Sequence, residues 1–191
     1  VGERVNGEQS EQSERQSEQP EERNAMSLHP MPNTSGKQIT PIIVIDTREQ
    51  APLPITRFPT IRGTLISGDY SIAGLEDLFS VERKSTDDLC LSVTKERDRF
   101  ERELHRLRGY RFKRLLVIGS VKEIQQGHYQ SNVKPQSILA SLSAFECRYD
   151  IPVVFDATPE QAGRRIESWA FWFSRDFLKV ANEIMKHSGK G

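Results

Sequence analysis

Apolar positions along this chain alternate between short β-branched runs and longer stretches at helical spacing. Residues 42–46 (IIVID) form a compact apolar run that predicts a buried strand. Pro52, Pro54 and Pro59 make 51–62 a loop or irregular connector. GTLISGDYSIA (63–73) alternates around Gly68-Asp69 and predicts two short strands or one bent strand. Leu78–Lys84 is the next strand, and Ser85 followed three residues later by Asp88 opens a helix. Asp98 and Glu101 form a second cap-like pair, so a break near 94–98 precedes a helix over 99–108 that Gly109 ends. LLVIG (115–119) is a buried strand, and Pro135 opens a helix whose core face is Ile138, Leu139, Leu142 and Phe145. PVVF (152–155) is the last strand. From 160 to 186, Ile166, Trp169, Phe173, Phe177, Val180 and Ile184 recur at spacings of three and four, which predicts a long amphipathic helix. There is no internal repeat.

Strands followed by helices alternating with strands predict an α/β domain with a mixed central sheet flanked by helices. Residues 1–37 break the pattern. They are rich in Glu, Gln, Ser, Arg and Asn and nearly devoid of large apolar side chains, so burial cannot offset the entropy of ordering them. The expectation is a disordered polar tail over 1–37, without the apolar core of a secretory signal, and a single domain over 38–187 whose last element is the amphipathic helix 158–187. The tail is either regulatory or an over-long start, since Met26 follows Val1.

A net charge of zero conceals an asymmetry. Residues 1–25 carry 7 acidic and 3 basic side chains, leaving 24 basic and 20 acidic in the remainder. A mildly basic body is compatible with a nucleic-acid partner. The two cysteines, Cys90 and Cys147, have neither CxxC spacing nor clustered histidines, which argues against a zinc site or a disulfide framework and for a reducing intracellular compartment. No apolar run reaches the roughly 18 residues a membrane span requires, which implies a soluble chain.

The chemistry concentrates in LFSVERKSTDD (78–88). Side chains alternate across a strand, so Glu82 and Lys84 leave one face together while Arg83 shares the opposite face with Phe79 and Val81. Two such charges are costly to desolvate without partners. Asp69 follows a glycine in GDYSI, and Asp46 ends IIVID. If these strands are adjacent, Asp46, Asp69 and Glu82 converge at one edge of the sheet. Hard oxygen ligands without His or Cys suit Mg²⁺ or Mn²⁺. A metal so held polarises a phosphoryl oxygen, and Lys84 beside it can orient the attacking water or stabilise charge on the phosphate. Taken alone, an E-x-K string is also the pattern of a surface ion pair at a strand end.

VERKSTDD contains E-R-K-x-x-x-D, ending at Asp88, and resembles the nuclease domain of the XPF-type structure-specific endonucleases. VIDTRE (44–49) is similar to that family's first strand with its D-x-R-E signature, and GDYSI (68–72) to its metal-aspartate segment. DRFERE (98–103) is similar to the stretch after the motif, and RLLVIG (114–119) and IPVVF (151–155) to the later strands. The resemblance covers about residues 40–155. It implies a restriction-endonuclease-like fold and a Mg²⁺- or Mn²⁺-dependent site that nicks branched DNA (flaps, forks, junctions) in repair or recombination. It also implies that Asp69 and Glu82 bind metal and that Lys84 is catalytic. Arg83 would sit beside the metal or contact phosphate, while Asp46, Arg48, Glu49 and Asp88 complete or brace the site. Arg99 would face DNA or hold the acidic cluster. Two departures add negative charge near the substrate path: Asp98 stands where the family usually has glycine, and Glu103 where it often has glutamine. The tandem helix-hairpin-helix module that many relatives carry is expected to be missing, so branch selectivity would come from the nuclease domain, a dimer partner or another protein.

Arg99, Arg102 and Arg106 share one helix face, with Phe100, Leu104 and Leu107 on the other. Residues 83–114 hold 11 basic and 6 acidic side chains, the densest basic stretch in the chain. The stripe is either a solvated face or a contact to the DNA backbone, and beside a phosphodiesterase-type site the second reading is preferred. Phe171 and Trp172 fall off the apolar stripe of the last helix and are candidates for a dimer surface, homodimeric or heterodimeric. Cys90 and Cys147 read as buried small hydrophobes. The compartment expected is cytoplasm or nucleoid in a prokaryote or phage and nucleus in a eukaryote. The rival readings are a non-catalytic DNA-binding scaffold subunit of a nuclease heterodimer, and a junction resolvase or restriction-like nuclease of the same fold.

Overall fold

In the computed structural model residues 39–188 are described; the tail expected over 1–37 lies outside them. The elements are β1 (Ile43–Asp46), β2 (Thr60–Gly63), β3 (Tyr70–Ile72), β4 (Phe79–Ser85), α1 (Thr86–Ser92), α2 (Arg97–Leu107), β5 (Phe112–Ile118), α3 (Val121–Gln125), α4 (Pro135–Tyr149), β6 (Val153–Asp156) and α5 (Pro159–Ser188). The strands pair in the order β2-β1-β3-β4-β5-β6. β3 runs antiparallel to both β1 and β4, whereas β1–β2, β4–β5 and β5–β6 are parallel. This is the mixed sheet the strand and helix order predicts.

Each face of the sheet carries its own core. Leu115 and Val117 of β5 pack with Leu89, Phe100, Leu104 and Phe145, under α1, α2 and α4. Phe79 and Val81 of β4 and Leu116 of β5 pack with Ala162, Ile166 and Ala170 of α5. Strand alternation therefore sends Phe79 and Val81 toward α5 and Ser80, Glu82 and Lys84 toward α2. The α1 start is as expected: Ser85 caps the helix, its Oγ accepting from the Asp88 N–H at 3.1 Å.

Four differences from the sequence reading have physical reasons. β2 begins at Thr60, inside the segment read as a loop; it is an exposed edge strand and carries no burial pattern. The five-residue α3 was not expected, since it is too short for helical periodicity; its capping box, Ser120 with Glu123, is its signal. β5 begins at Phe112, and its two basic residues are half-buried, Lys113 bridging Asp150 at 2.9 Å and the Arg114 guanidinium lying 4.3 Å from the Phe112 ring centre. Last, the apolar stripe of α5 does not pack throughout. Phe171, expected on a docking surface, is buried at 5% exposure, whereas Val180 and Ile184, on the helix's apolar stripe, are 48% and 61% exposed. A 30-residue helix is about 45 Å long and outruns the sheet it covers. Cys90 is buried as expected, but Cys147 is exposed.

Candidate active site

Gly68 makes the site possible. Its φ is +79°, and a Cβ there would stand 2.2 Å from Ser80 Oγ and 3.1 Å from the Val81 carbonyl. Only glycine lets the chain turn flat against β4. Asp69 then donates its N–H to the Val81 carbonyl at 2.8 Å, and its carboxylate accepts the Arg83 N–H at 2.8 Å. Tyr70 pairs with Val81 in this antiparallel ladder, so Asp69 stands opposite Glu82.

Glu82 is 2% exposed, and Lys84 Nζ donates to its Oε1 at 2.5 Å. The ammonium also lies 5.2 Å from the centre of the Phe100 ring on α2. Burial, and then the neighbouring Asp69, push the Glu82 carboxyl up to about 8. Burial raises Asp69 to about 6 against the pull of the Arg83 N–H and Lys84. Desolvation works to lower Lys84, but the Glu82 carboxylate prevails and raises it. A buried and a half-buried carboxylate that resist ionising together, with one ammonium between strand and helix, form a site short of positive charge.

The residues behind this pair are organised by Arg83 and Arg48. Arg83 leaves the opposite face of β4 and is held by Glu49, Nη2 to Oε1 at 2.8 Å and Nε to Oε2 at 3.1 Å. Glu49 Oε1 also accepts the Ala51 N–H at 2.8 Å. Asp46 is fully buried and both its oxygens are engaged. Oδ1 accepts from Arg48 N at 2.8 Å and Nε at 2.7 Å, and Oδ2 from the Leu65 N–H at 2.7 Å and Arg48 Nη2 at 3.1 Å. Burial would raise the Asp46 carboxyl, but these bonds outweigh it and hold it below the ordinary value. Arg62, a residue that sequence reasoning passed over inside the presumed loop, donates Nη1 to the carbonyls of Asp46 and Glu49, each at 2.9 Å.

The remaining expected residues lie outward. Asp88 is exposed, and its Oδ2 accepts from Ser85 Oγ at 2.7 Å at the start of α1. Arg99 is exposed and paired with Glu96 rather than with the acidic pair. Arg102 is exposed, and Arg106 reaches the Ser67 hydroxyl with its Nε–H at 3.1 Å. The residue whose position in the site the spacing did not reveal is Glu103, whose charge is felt at Asp69, Glu82, Lys84 and Arg48.

Among the described residues no three acidic, histidine or cysteine side chains stand close enough together to hold a metal ion between them. Asp69 and Glu82 nevertheless fit Mg²⁺ or Mn²⁺ by their chemistry. Both offer hard oxygens, their mutual repulsion would be relieved by a cation, and Mg²⁺ commonly takes one or two carboxylates and keeps waters.

Residues 45–168 match the family model of the ERCC4 domain. Among solved structures the chain is similar to XPF from Aeropyrum pernix, with 24% identity and a TM-score of 0.55 over 68% of this chain and 60% of that one. It is likewise similar to XPF from Aeropyrum pernix in complex with DNA, at 23% identity and a TM-score of 0.55 over 71% of this chain and 66% of that one. In both cases the chain spans less than two thirds of the relative. No curated protein matches the sequence.

Proposed function

Because the chain belongs to the ERCC4 domain family and carries an XPF-type nuclease domain, we propose that it is a Mg²⁺- or Mn²⁺-dependent endonuclease that hydrolyses phosphodiester bonds in branched DNA. The observation that carries this reading is the pairing of half-buried Asp69, in the turn before β3, with buried Glu82 of β4, with Lys84 against Glu82. DNA as substrate is supported by the structural relative in complex with DNA. Flaps, forks and junctions follow from the motif resemblance, as do repair or recombination and a nuclear, nucleoid or cytoplasmic setting. No described helix is long and apolar enough to cross a membrane.

In this mechanism Asp69 and Glu82 would hold the ion, and Asp46 positions the strand end behind them through Arg48 and Leu65. When bound, the cation would polarise a phosphodiester oxygen and offset the charge that develops on it. Lys84, released from Glu82, carries its ammonium to the reacting phosphate, where a positive charge in a partly dry site counts for most. Arg83 is held by Glu49 and keeps β4 in register with the turn that presents Asp69. Arg102 and Arg106 line the exposed side of α2 and contact the DNA backbone, with Arg99 beyond them. The exposed apolar end of α5, with Leu178, Val180, Ile184 and Met185, is the surface through which we propose the protein pairs with a second copy or a related subunit.

The deciding experiment is a cleavage panel of single-strand, duplex, flap, fork and four-way substrates with Mg²⁺ or Mn²⁺. Metal-dependent nicking of at least one branched substrate, and weaker cutting of plain duplex, is expected. Folded protein that binds branched DNA and never cuts it would instead support a scaffold subunit. Cutting confined to four-way junctions would support a resolvase.

A further inference from the structure

α2 is fastened beside the acidic pair at two points. Phe100 lies against the Lys84 ammonium, 5.2 Å from Nζ to ring centre. Six residues on, Arg106 donates to Ser67 Oγ at 3.1 Å, and the Ser67 carbonyl accepts from Ser80 Oγ at 2.9 Å. Glu103 is midway between them. Steps of three residues rotate each position by about 60° and advance it about 4.5 Å along the axis. A helix pinned at Phe100 to β4 and at Arg106 to the turn before Asp69 therefore carries Glu103 over the space between Lys84 and Asp69. It cannot roll away, because Phe100, Leu104 and Leu107 are buried on its underside.

Glu103 is half-buried and is not neutralised by its own helix. Arg99, four residues before it, pairs with Glu96, and Arg97 pairs with Glu101. Its field reaches Asp69, Glu82, Lys84 and Arg48, the groups of the site from three other elements. Asp46, meanwhile, has both oxygens engaged by Arg48 and Leu65.

The geometry points to Glu103 as an outer carboxylate of the cation site, too far to join Asp69 and Glu82 in holding the ion directly and placed to bond its water shell from the α2 side, where the strand ends had suggested Asp46 as the third carboxylate. This rests on the metal-dependent reading above. Charge balance agrees: Arg48 and Arg83, which also lie within the field of this group, are already paired with Asp46 and Glu49, so Asp69, Glu82 and Glu103 face one further cation, the Lys84 ammonium, and a divalent ion closes the difference. Glu103 is thus a positioning residue, acting on the ion and its water shell rather than on the phosphate.

Mn²⁺ titration of the full chain without DNA, by calorimetry or by the electron paramagnetic signal of free Mn²⁺, tests this. Glu103→Gln is expected to weaken Mn²⁺ binding about tenfold, Glu103→Asp to recover part of the loss, and Asp46→Asn to change affinity less than Glu103→Gln. The melting temperature of metal-free Glu103→Gln should be no lower than that of the wild type, since the substitution relieves repulsion. Wild-type affinity in Glu103→Gln, with binding still lost in Glu82→Gln, would overturn the assignment while leaving the metal-dependent reading intact. A wild-type protein that binds no Mn²⁺ at millimolar concentration would overturn both.

Discussion

The Arg83 backbone N–H donates to the Asp69 carboxylate at 2.8 Å, which ties the acidic residue of one turn to the strand that carries Glu82 and Lys84. Because the donor is backbone, an amide side chain at position 69 can still accept that bond. Asp69→Asn and Glu82→Gln are therefore expected to fold and to lose metal-dependent cleavage. Lys84→Met should lower kcat by about a hundredfold or more. Cleavage rates alongside circular dichroism check this; a Glu82→Gln protein that cuts at the wild-type rate would exclude the site.

The same pair makes stability depend on pH. In the unfolded chain Asp and Glu titrate near about 3.9 and 4.3, whereas in the fold they are raised to about 6 for Asp69 and about 8 for Glu82. The folded protein thus binds more protons than the unfolded one across this window. The contribution is fully present below the unfolded values and is lost as pH rises through about 6 and then about 8. In metal-free buffer the thermal midpoint of Glu82→Gln is expected to fall less over this range than that of the wild type. Saturating Mn²⁺ should flatten the wild-type profile, and identical slopes for variant and wild type would contradict it.

Arg83 and Glu49 form a two-bond ion pair with side-chain exposures of 16% and 5%. Removing the carboxylate leaves a guanidinium with little solvent to replace it. Glu49→Ala is expected to cost about 3 kcal/mol in urea denaturation. Arg83→Met with Glu49→Leu together should cost less than Glu49→Ala alone. A Glu49→Ala midpoint equal to wild type would show the pair to be incidental.

Gly163 of α5 lies against the proline-rich connector. A Cβ there would meet the Pro54 carbonyl at 2.2 Å. Glu167, one turn on, accepts the N–H groups of Thr56 and Arg57 at 2.6 Å each. Gly163→Ala must push the connector off the helix and is expected to destabilise by about 1–3 kcal/mol. Thermal unfolding reads this directly, and proteolysis should report faster cleavage near 51–58.

Light scattering at micromolar concentration tests the proposed pairing through α5. The wild type is expected to be a dimer and Val180→Asp with Ile184→Asp a folded monomer. A monomeric wild type would leave only pairing with a different subunit.

Strand and helix order, and with it the mixed sheet, was legible in the chain because periodicity reports which face of each element is apolar. Alternation alone put Glu82 and Lys84 on one side of β4 and Arg83 on the other. A glycine before Asp69 marked a bend, and that bend is where the chain turns against β4. Periodicity does not report which element a polar face will meet, and the tertiary structure decided three such matters. Asp46 ends β1 with its N–H bonded to the Asp69 carbonyl, but Arg48 and Leu65 have already engaged its carboxylate oxygens. Glu103 lies 21 residues beyond Glu82 in the chain, and only packing of Phe100 and Leu104 brings its helix over the acidic pair. Phe171 looked free because it fell off the stripe of α5, yet the buried surface around one part of a helix is wider than one stripe. Beyond the sheet's end that same stripe, Val180 and Ile184 included, is left exposed among the described residues.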